Sequence, residues 1–226
     1  MGLEDRRRRE KERRRSAILS AARKMFFEKG FKDVTVEDIA KKAELSKGSI
    51  YLYFKSKEEI YTHILLSDIE KFNKNSSHLF QDGKTAAMLI HELAVIYVDF
   101  FLNDNELFRI MMNFMLHIQD MKLEESVNQH LIEATNNTVK IIETILNYGI
   151  EQGEFPADIN LRQTRNAIWG FLNGIISLHL FTGKEMNREE KIHTTVRESL
   201  TIFIDGLKTA PNRGEILRQS NHDQEI

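Results

Sequence analysis

The sequence predicts an all-α protein of about nine helices, with a small basic N-terminal module ahead of a larger acidic helical body. Three observations predict it. Proline occurs at only two of 226 positions, Pro156 and Pro211, so long stretches contain nothing that interrupts a helix. Apolar residues recur at three- and four-residue spacing along most of the chain, and no alternating strand pattern competes with them. Helix starts are also marked: Thr35 is an N-cap candidate with Asp38 at N3, and Ser56 with Glu59 three residues on forms a capping box.

The elements follow in order. Residues 16–29 form a first helix, with Ile18, Ala22 and Phe26 at i, i+4 and Ala21 and Met25 on the adjoining row. Gly30 supplies its left-handed C-cap, and Phe31 the hydrophobic partner of that cap. Thr35 caps a short second helix ending near Ala43, with Asp38 at N3 and Val34 and Ile39 as a hydrophobic staple. Ser46 opens a third helix through Phe54, whose inward pair is Ile50 and Phe54, with Leu45 beneath. Ser56 and Glu59 open a fourth, running through Ile60, Ile64 and Ile69 to Phe72. Segments 85–102, 105–119, 122–152, 159–181 and 188–209 read as further helices. Their breaks are Gln81-Asp82-Gly83, Asn103-Asp104, the Gly153/Pro156 loop and Thr182-Gly183. Residues 211–226 are polar and weakly periodic, and read as a flexible tail. The domains expected are 1–57, 58–210 and that tail.

Composition excludes several classes. There is no cysteine, hence no disulfide, thiolate metal site or cysteine nucleophile. No apolar run approaches the roughly 18 residues of a membrane span, and the arginine-rich start lacks a following apolar stretch. Arg6 stands where a myristoylation signal needs Ser or Thr. A cytoplasmic location without membrane contact is therefore expected. The histidines show no metal-ligand spacing, and neither a hydrolytic triad nor a phosphate-cradling glycine loop is present. The chain reads as a non-enzyme without metal or cofactor.

A net charge of −2 conceals a division. Residues 1–57 hold 17 Lys and Arg against 9 Asp and Glu, a net +8, so the remainder carries −10. A basic quarter attracts polyanions, and an acidic body faces away from them. Arg6 to Arg9, Lys11 and Arg13 to Arg15 supply 8 of those 17 cations. That run is either an arm that follows a DNA backbone or enters its minor groove, or a solvated tail giving non-specific, salt-sensitive affinity.

Two short helices joined by a tight turn and backed by a supporting helix form a helix-turn-helix. With Ile50 and Phe54 inward, the third helix presents Lys47, Gly48, Ser49, Tyr51 and Tyr53 outward. A merely solvated face would carry Glu, Lys and Gln. This one suits a DNA groove: Lys47 reaches guanine or phosphate, Gly48 permits close approach, Ser49 donates or accepts, and the phenols reach phosphates. Thr35, Ser46 and Lys57 stand at helix starts, where free N–H groups dock phosphate.

Residues Thr35 to Glu59, with Gly48-Ser49-Ile50-Tyr51-Leu52-Tyr53-Phe54-Lys55-Ser56-Lys57-Glu58-Glu59 at their heart, resemble the signature of the TetR family of bacterial transcriptional regulators. The resemblance covers roughly residues 15–62. It implies an N-terminal three-helix helix-turn-helix domain and a C-terminal helical ligand-binding and dimerisation domain, assembled as an Ω-shaped homodimer on double-stranded DNA. By that likeness Thr35, Ser46, Tyr51, Tyr53 and Lys57 hold phosphates, while Lys47, Gly48 and Ser49 lie nearest the bases. Glu44 departs from the family, which often has Gly in the turn; a left-handed Glu costs roughly 1 kcal/mol.

The body carries two unusual helices. In 159–181, Ile168, Trp169, Phe171, Leu172, Ile175, Ile176, Leu178 and Leu180 leave almost no polar stripe, so burial on more than one side is expected. Gly170 and Gly174, with Ser177 near them, let another helix approach closely. The next helix carries Ile192, Val196, Leu200, Phe203 and Leu207 on one stripe, with Ile202 and Ile204 left over. Surplus apolar surface on consecutive helices suggests a four-helix seam between two subunits, marked by Gly170, Gly174, Ser177, Phe203 and Leu207; the alternative is burial within one subunit. Tyr97, Phe101, Met111 and Met115 belong to an aromatic and methionine concentration on helices five and six. With Trp169 and the polar His117 and Asn173 they are candidate contacts for a small, largely apolar effector, or else plain core. The chain is thus expected to be a repressor released from a palindromic operator by such an effector. The alternative is an effector-independent DNA-binding or partner-binding protein with a solid C-terminal core.

Overall fold

The computed structural model describes residues 2–76, 78–80, 83–117, 125–181 and 187–209, and at Leu3, Asn105, His117, Ser126, Val127 and Phe181 the backbone alone. Among the described residues there are nine helices and no strand: α1 (Leu3–Lys29), α2 (Val36–Lys42), α3 (Lys47–Tyr51), α4 (Lys57–Ser76), α5 (Ala86–Leu102), α6 (Asn105–His117), α7 (Glu125–Glu151), α8 (Leu161–Phe181) and α9 (Arg188–Thr209). The predicted helix ends at 118–119, the start at 122–124, the breaks at Gln81-Asp82 and Thr182-Gly183 and the tail 211–226 lie outside the described residues. Two predicted lengths are corrected. α1 starts 13 residues earlier than expected, because arginine is a good helix former that leaves no apolar period to read. α3 closes at Tyr51 rather than Phe54, although the Tyr53 and Phe54 N–H groups still bond the Ile50 carbonyl at 2.9 and 3.0 Å.

The chain packs as two compact units. The first takes residues up to Phe72 together with Asn103–Thr135, so most of α4, all of α6 and the start of α7 join α1–α3. The expected boundary after residue 57 is the head of α4, whereas the first unit continues along that helix to Phe72. Its core is continuous from Ile18, Ala22 and Phe26 on α1, through Ile39, Ile50 and Phe54, to Ile60, Tyr61 and Ile64 on α4 and Ile110 and Phe114 on α6. Tyr61 stands at the centre, edge-on to Phe26 at 4.9 Å and to Phe31 at 5.0 Å between ring centroids. Arg23 of α1 pairs with the buried Asp68 of α4 and, at 2.6 Å, with Asp104. Asp104 also caps α6, its carboxylate accepting the Leu107 N–H at 3.0 Å. One guanidinium therefore binds three segments of the unit.

The second unit holds α5, the remainder of α7, α8 and α9. Leu89, Ile90, Leu93, Val98 and Phe101 of α5 meet Ile168, Leu172 and Ile176 of α8 and Ile192, Val196, Leu200 and Ile204 of α9 in its core. Glu154 caps α5, its carboxylate accepting the N–H groups of Ala86 at 2.6 Å and Ala87 at 3.2 Å. Half-buried His193 and Asp99 tie α9 to α5 through a 2.8 Å contact, and exposed Glu189 lies one turn ahead of the histidine. Among the described residues no single helix is long and apolar enough to cross a membrane.

Candidate nucleic-acid interface

The helix-turn-helix is held by caps at every start. Thr35 Oγ1 accepts the Asp38 N–H at 3.1 Å while the Asp38 carboxylate accepts the Thr35 N–H at 3.0 Å, so the expected N-cap is a full capping box. The two bonds from Thr35 hold the Asp38 carboxyl below its ordinary range. Thr35 Oγ1 also donates to Asp38 at 2.7 Å, so this hydroxyl is committed to the cap. Ser46 Oγ accepts the Ser49 N–H at 3.1 Å and lies 2.8 Å from the Ser49 hydroxyl. Between α2 and α3, Glu44 adopts φ 56°, a left-handed conformation that costs a glutamate roughly 1 kcal/mol. At α4, Ser56 accepts the Glu59 N–H at 3.1 Å, but Glu59 reaches back to the Lys55 N–H at 2.5 Å rather than to Ser56.

Ile50 and Phe54 are both buried, and this orients everything else on α3. Lys47 and Gly48 are exposed, Tyr51 is 49% exposed, and Ser49 and Tyr53 are half-buried. A Cβ on Gly48 would meet only Ser46 Oγ, at 3.9 Å, so nothing in the fold requires glycine there. Lys47 Nζ lies 2.9 Å from Glu37 of α2, an exposed pair that raises the lysine's affinity for its proton. Solvent weakens such an exposed pair, so a phosphate or base can displace the carboxylate. The sequence reading did not single out Leu52, which is 79% exposed beside the recognition residues.

Lys57 has another task than the one expected. Its ammonium donates to the carbonyls of Phe31 at 2.8 Å, Val34 at 2.9 Å and Lys32 at 3.4 Å, and stands 4.4 Å from the centre of the Phe31 ring. Three carbonyls occupy its three donors. It fastens the α1–α2 loop to the head of α4.

In the second unit, Tyr97 donates to Asn173 Oδ1 at 2.8 Å, and Asn173 Nδ2 donates to the Trp169 carbonyl at 2.8 Å. Tyr97 packs edge-on against Phe101 at 4.8 Å, and burial raises its phenol pKa far above the usual value. Four of the expected effector contacts, Tyr97, Phe101, Trp169 and Asn173, thus belong to this unit. Met111 and Met115, on α6, pack against the core of the first unit. The His117 side chain lies outside the described residues. Of the expected seam residues, Gly170 and Gly174 are exposed with open space around them, and Ser177 and Phe203 are half-buried. Leu207 is buried in the unit's own core, and Ile204 joins it there while Phe203 does not. From Leu200 a helix can turn inward at either i+3 or i+4, and the stripe continues at i+4.

Comparison with known proteins places this arrangement in a family. Residues 18–64 match the model of bacterial regulatory proteins of the tetR family, and residues 70–199 match that of the YsiA-like protein C-terminal region. The chain belongs to the TetR family. It is a DNA-binding transcriptional regulator with a ligand-binding C-terminal region, not an enzyme, and regulators of this family bind operator DNA and typically dimerise. It is 28% identical over 162 residues to the fatty acid metabolism regulator protein of Bacillus subtilis, covering 71% of this chain and 80% of that one. Its fold is similar to the fatty acid degradation regulator FadR of Bacillus halodurans, with TM-score 0.66 and 20% identity over 82% of this chain and 93% of that one. It is likewise similar to FadR of Bacillus subtilis in complex with stearoyl-CoA, with TM-score 0.67 and 20% identity over 87% and 99%.

Proposed function

We propose that this chain is a cytoplasmic repressor that binds a palindromic operator as a homodimer and is released by a long-chain acyl-CoA. The observation that carries the reading is the burial of Ile50 and Phe54, which leaves Lys47, Gly48 and Tyr51 in solvent. Lys47, Gly48 and Ser49 then read base edges, and Tyr51, Tyr53 and the capped starts at Thr35 and Ser46 meet phosphates. Lys57 contributes by fixing the loop ahead of α2. The DNA contacts lie within residues 1–57, and residues 58–210 serve effector binding and dimerisation.

A short helix reads few base pairs, so useful specificity needs two copies roughly 34 Å apart on a twofold site. Leu178 is 62% and Ile202 75% exposed, and together with Phe171 and the open Gly170 and Gly174 they form an apolar surface suited to a second copy. The effector class is supported by the likeness to regulators of fatty acid metabolism and by an apolar second unit that holds the Tyr97–Asn173 pair.

The test is selection from a random duplex pool, followed by fluorescence anisotropy with the selected duplex. The full chain selects a palindrome, Tyr51→Ala loses the preference, and stearoyl-CoA at micromolar concentration releases the complex. Unchanged preference in Tyr51→Ala overturns the assigned face. Binding indifferent to saturating acyl-CoA overturns the effector class.

A further inference from the structure

The arginine run is neither a loose arm nor a tail: it is the first half of a single 27-residue helix. Its register matters. Ile18, Ala22 and Met25 are the stripe that α1 buries in the first unit. Counting back from Ile18 in steps of three and four gives Arg14 (with Arg15 beside it), Lys11, Arg7 and finally Glu4. The core stripe therefore leaves the core without changing direction and turns cationic. The acids Asp5 and Glu12 lie off that line, while Glu10, one turn before Arg14, borders it. Arg8 pairs with Asp5 at 3.5 Å and Arg14 with Glu10 at 2.9 Å, while Arg7 and Lys11 make no ion pair among the described residues.

Arg15 marks the transition. Its guanidinium stands 5.3 Å from the centre of the Phe54 ring and 3.0 Å from His63 Nδ1, so the stripe's last inward member is pinned to the residue that anchors α3. Beyond it, Arg7, Lys11 and Arg14 line one concave surface together with Tyr53, a surface that Arg6, Arg9, Arg13 and the single acid Glu10 share. The occupant that fits is a polyanion already touching Tyr53. From Arg15 to Leu3 the helix extends about 18 Å, enough to follow a duplex beyond the base pairs that α3 covers.

We propose that the N-terminal half of α1 is a rigid cationic rod that grips the DNA backbone flanking the half-site, through Arg7, Lys11 and Arg14. This rests on the DNA-binding reading above. It adds a contact that carries no sequence information and contributes affinity in proportion to the length of duplex offered.

The experiment compares the full chain with the variant Arg7→Ala/Lys11→Ala/Arg14→Ala, alanine being the best helix former. Two duplexes are used: the selected operator trimmed to its footprint, and the same operator with ten further base pairs on each side. On the long duplex the variant's plot of log K against log[salt] should be shallower by about 2.7, or about 0.9 per phosphate contact. Between 50 and 200 mM salt the unsubstituted chain therefore loses roughly 40-fold more affinity than the variant. On the trimmed duplex the two slopes should lie close together. Arg7→Gln/Lys11→Gln/Arg14→Gln, which keeps side-chain bulk, should behave as the alanine variant does. Equal slopes on the long duplex, or equal losses on both duplexes, overturn the rod while leaving operator recognition intact. If the unsubstituted chain shows no sequence preference, the DNA-binding reading and the rod both fall.

Discussion

Tyr61 donates its phenol hydrogen to the main-chain carbonyl of Ile110, 2.6 Å away and fully buried, joining α4 to α6 across 49 residues of sequence. α4 begins immediately after the recognition segment, so this bond connects that segment to a helix remote in sequence but packed in the same unit. Burial pushes the phenol pKa far up, so it remains a donor at any workable pH. Tyr61→Phe keeps the ring contacts with Phe26 and Phe31 and removes this bond, leaving the Ile110 carbonyl only its place in the α6 helix. The expected cost is about 1–2 kcal/mol. Urea unfolding followed by circular dichroism measures it, and an unchanged midpoint would show that this bond adds nothing to stability.

Gly48 offers a test in which stability and function move in opposite directions. Its Cβ position is open, so Gly48→Ala should stabilise the helix, by up to about 1 kcal/mol on propensity grounds. The same methyl projects from the exposed face of α3, where close approach of a base edge leaves no room. Operator affinity is expected to fall at least tenfold while the melting temperature holds or rises. A variant that melts higher and binds as well would remove Gly48 from the interface.

How much of this was legible beforehand follows from the range of the interactions. The inward pair Ile50 and Phe54 and the N-cap at Thr35 with Asp38 at N3 depend on neighbours within a turn or two, and the sequence displays them, whereas a glutamate at position 44 leaves the hand of the turn open. Lys57 does not: its carbonyl partners lie 23 to 26 residues upstream, and only the assembled loop brings them within reach. The rod at the start of α1 escaped for a different reason. A helix with charges on every side has no hydrophobic period, so its length cannot be read even where every residue favours it. The inward course of α9 turned on Ile204 against Phe203, adjacent residues that a period of 3.6 cannot separate over so few turns. The methionines of α6 looked like pocket lining because composition cannot say which of two cores a residue joins.

His63 makes the first unit sensitive to acid. Arg15 can only donate, so the Nδ1 that faces it at 3.0 Å must be the unprotonated nitrogen of a neutral ring. Burial first, and Arg15 second, lower the pKa of His63 below its usual 6.5, while Glu59 at 3.9 Å opposes them. A histidine with a lowered folded-state pKa adds stability that is fully present above the unfolded value. That stability is lost as pH falls below about 6.5. The chain should therefore be less stable in urea at pH 5.5 than at pH 7.5, and His63→Gln should narrow that difference. An identical pH dependence in the variant would mean that other groups account for all of it, among them His91 of α5, whose pKa burial also lowers.

Gly149 is required by packing rather than by backbone conformation. It lies in the last turns of α7, where a Cβ would enter the Phe155 ring and come within 2.8 Å of Ala86 Cβ. Both neighbours are buried, and the Phe155 backbone is held by its N–H bond to the Gly149 carbonyl at 3.2 Å, so neither can simply step aside. Two effects of Gly149→Ala compete. Helix propensity favours the alanine by about 1 kcal/mol, whereas overpacking a closed corner costs about 1–3 kcal/mol. Because the intruding methyl meets two side chains at once, overpacking should win, and the melting temperature should drop by several degrees. Adding Phe155→Leu vacates part of the ring's volume and should restore some of the loss relative to Phe155→Leu alone, which a double-mutant cycle would register as positive coupling. A single variant that melts at or above the unsubstituted chain would show that α5 and the 149–155 corner yield more readily than their burial implies.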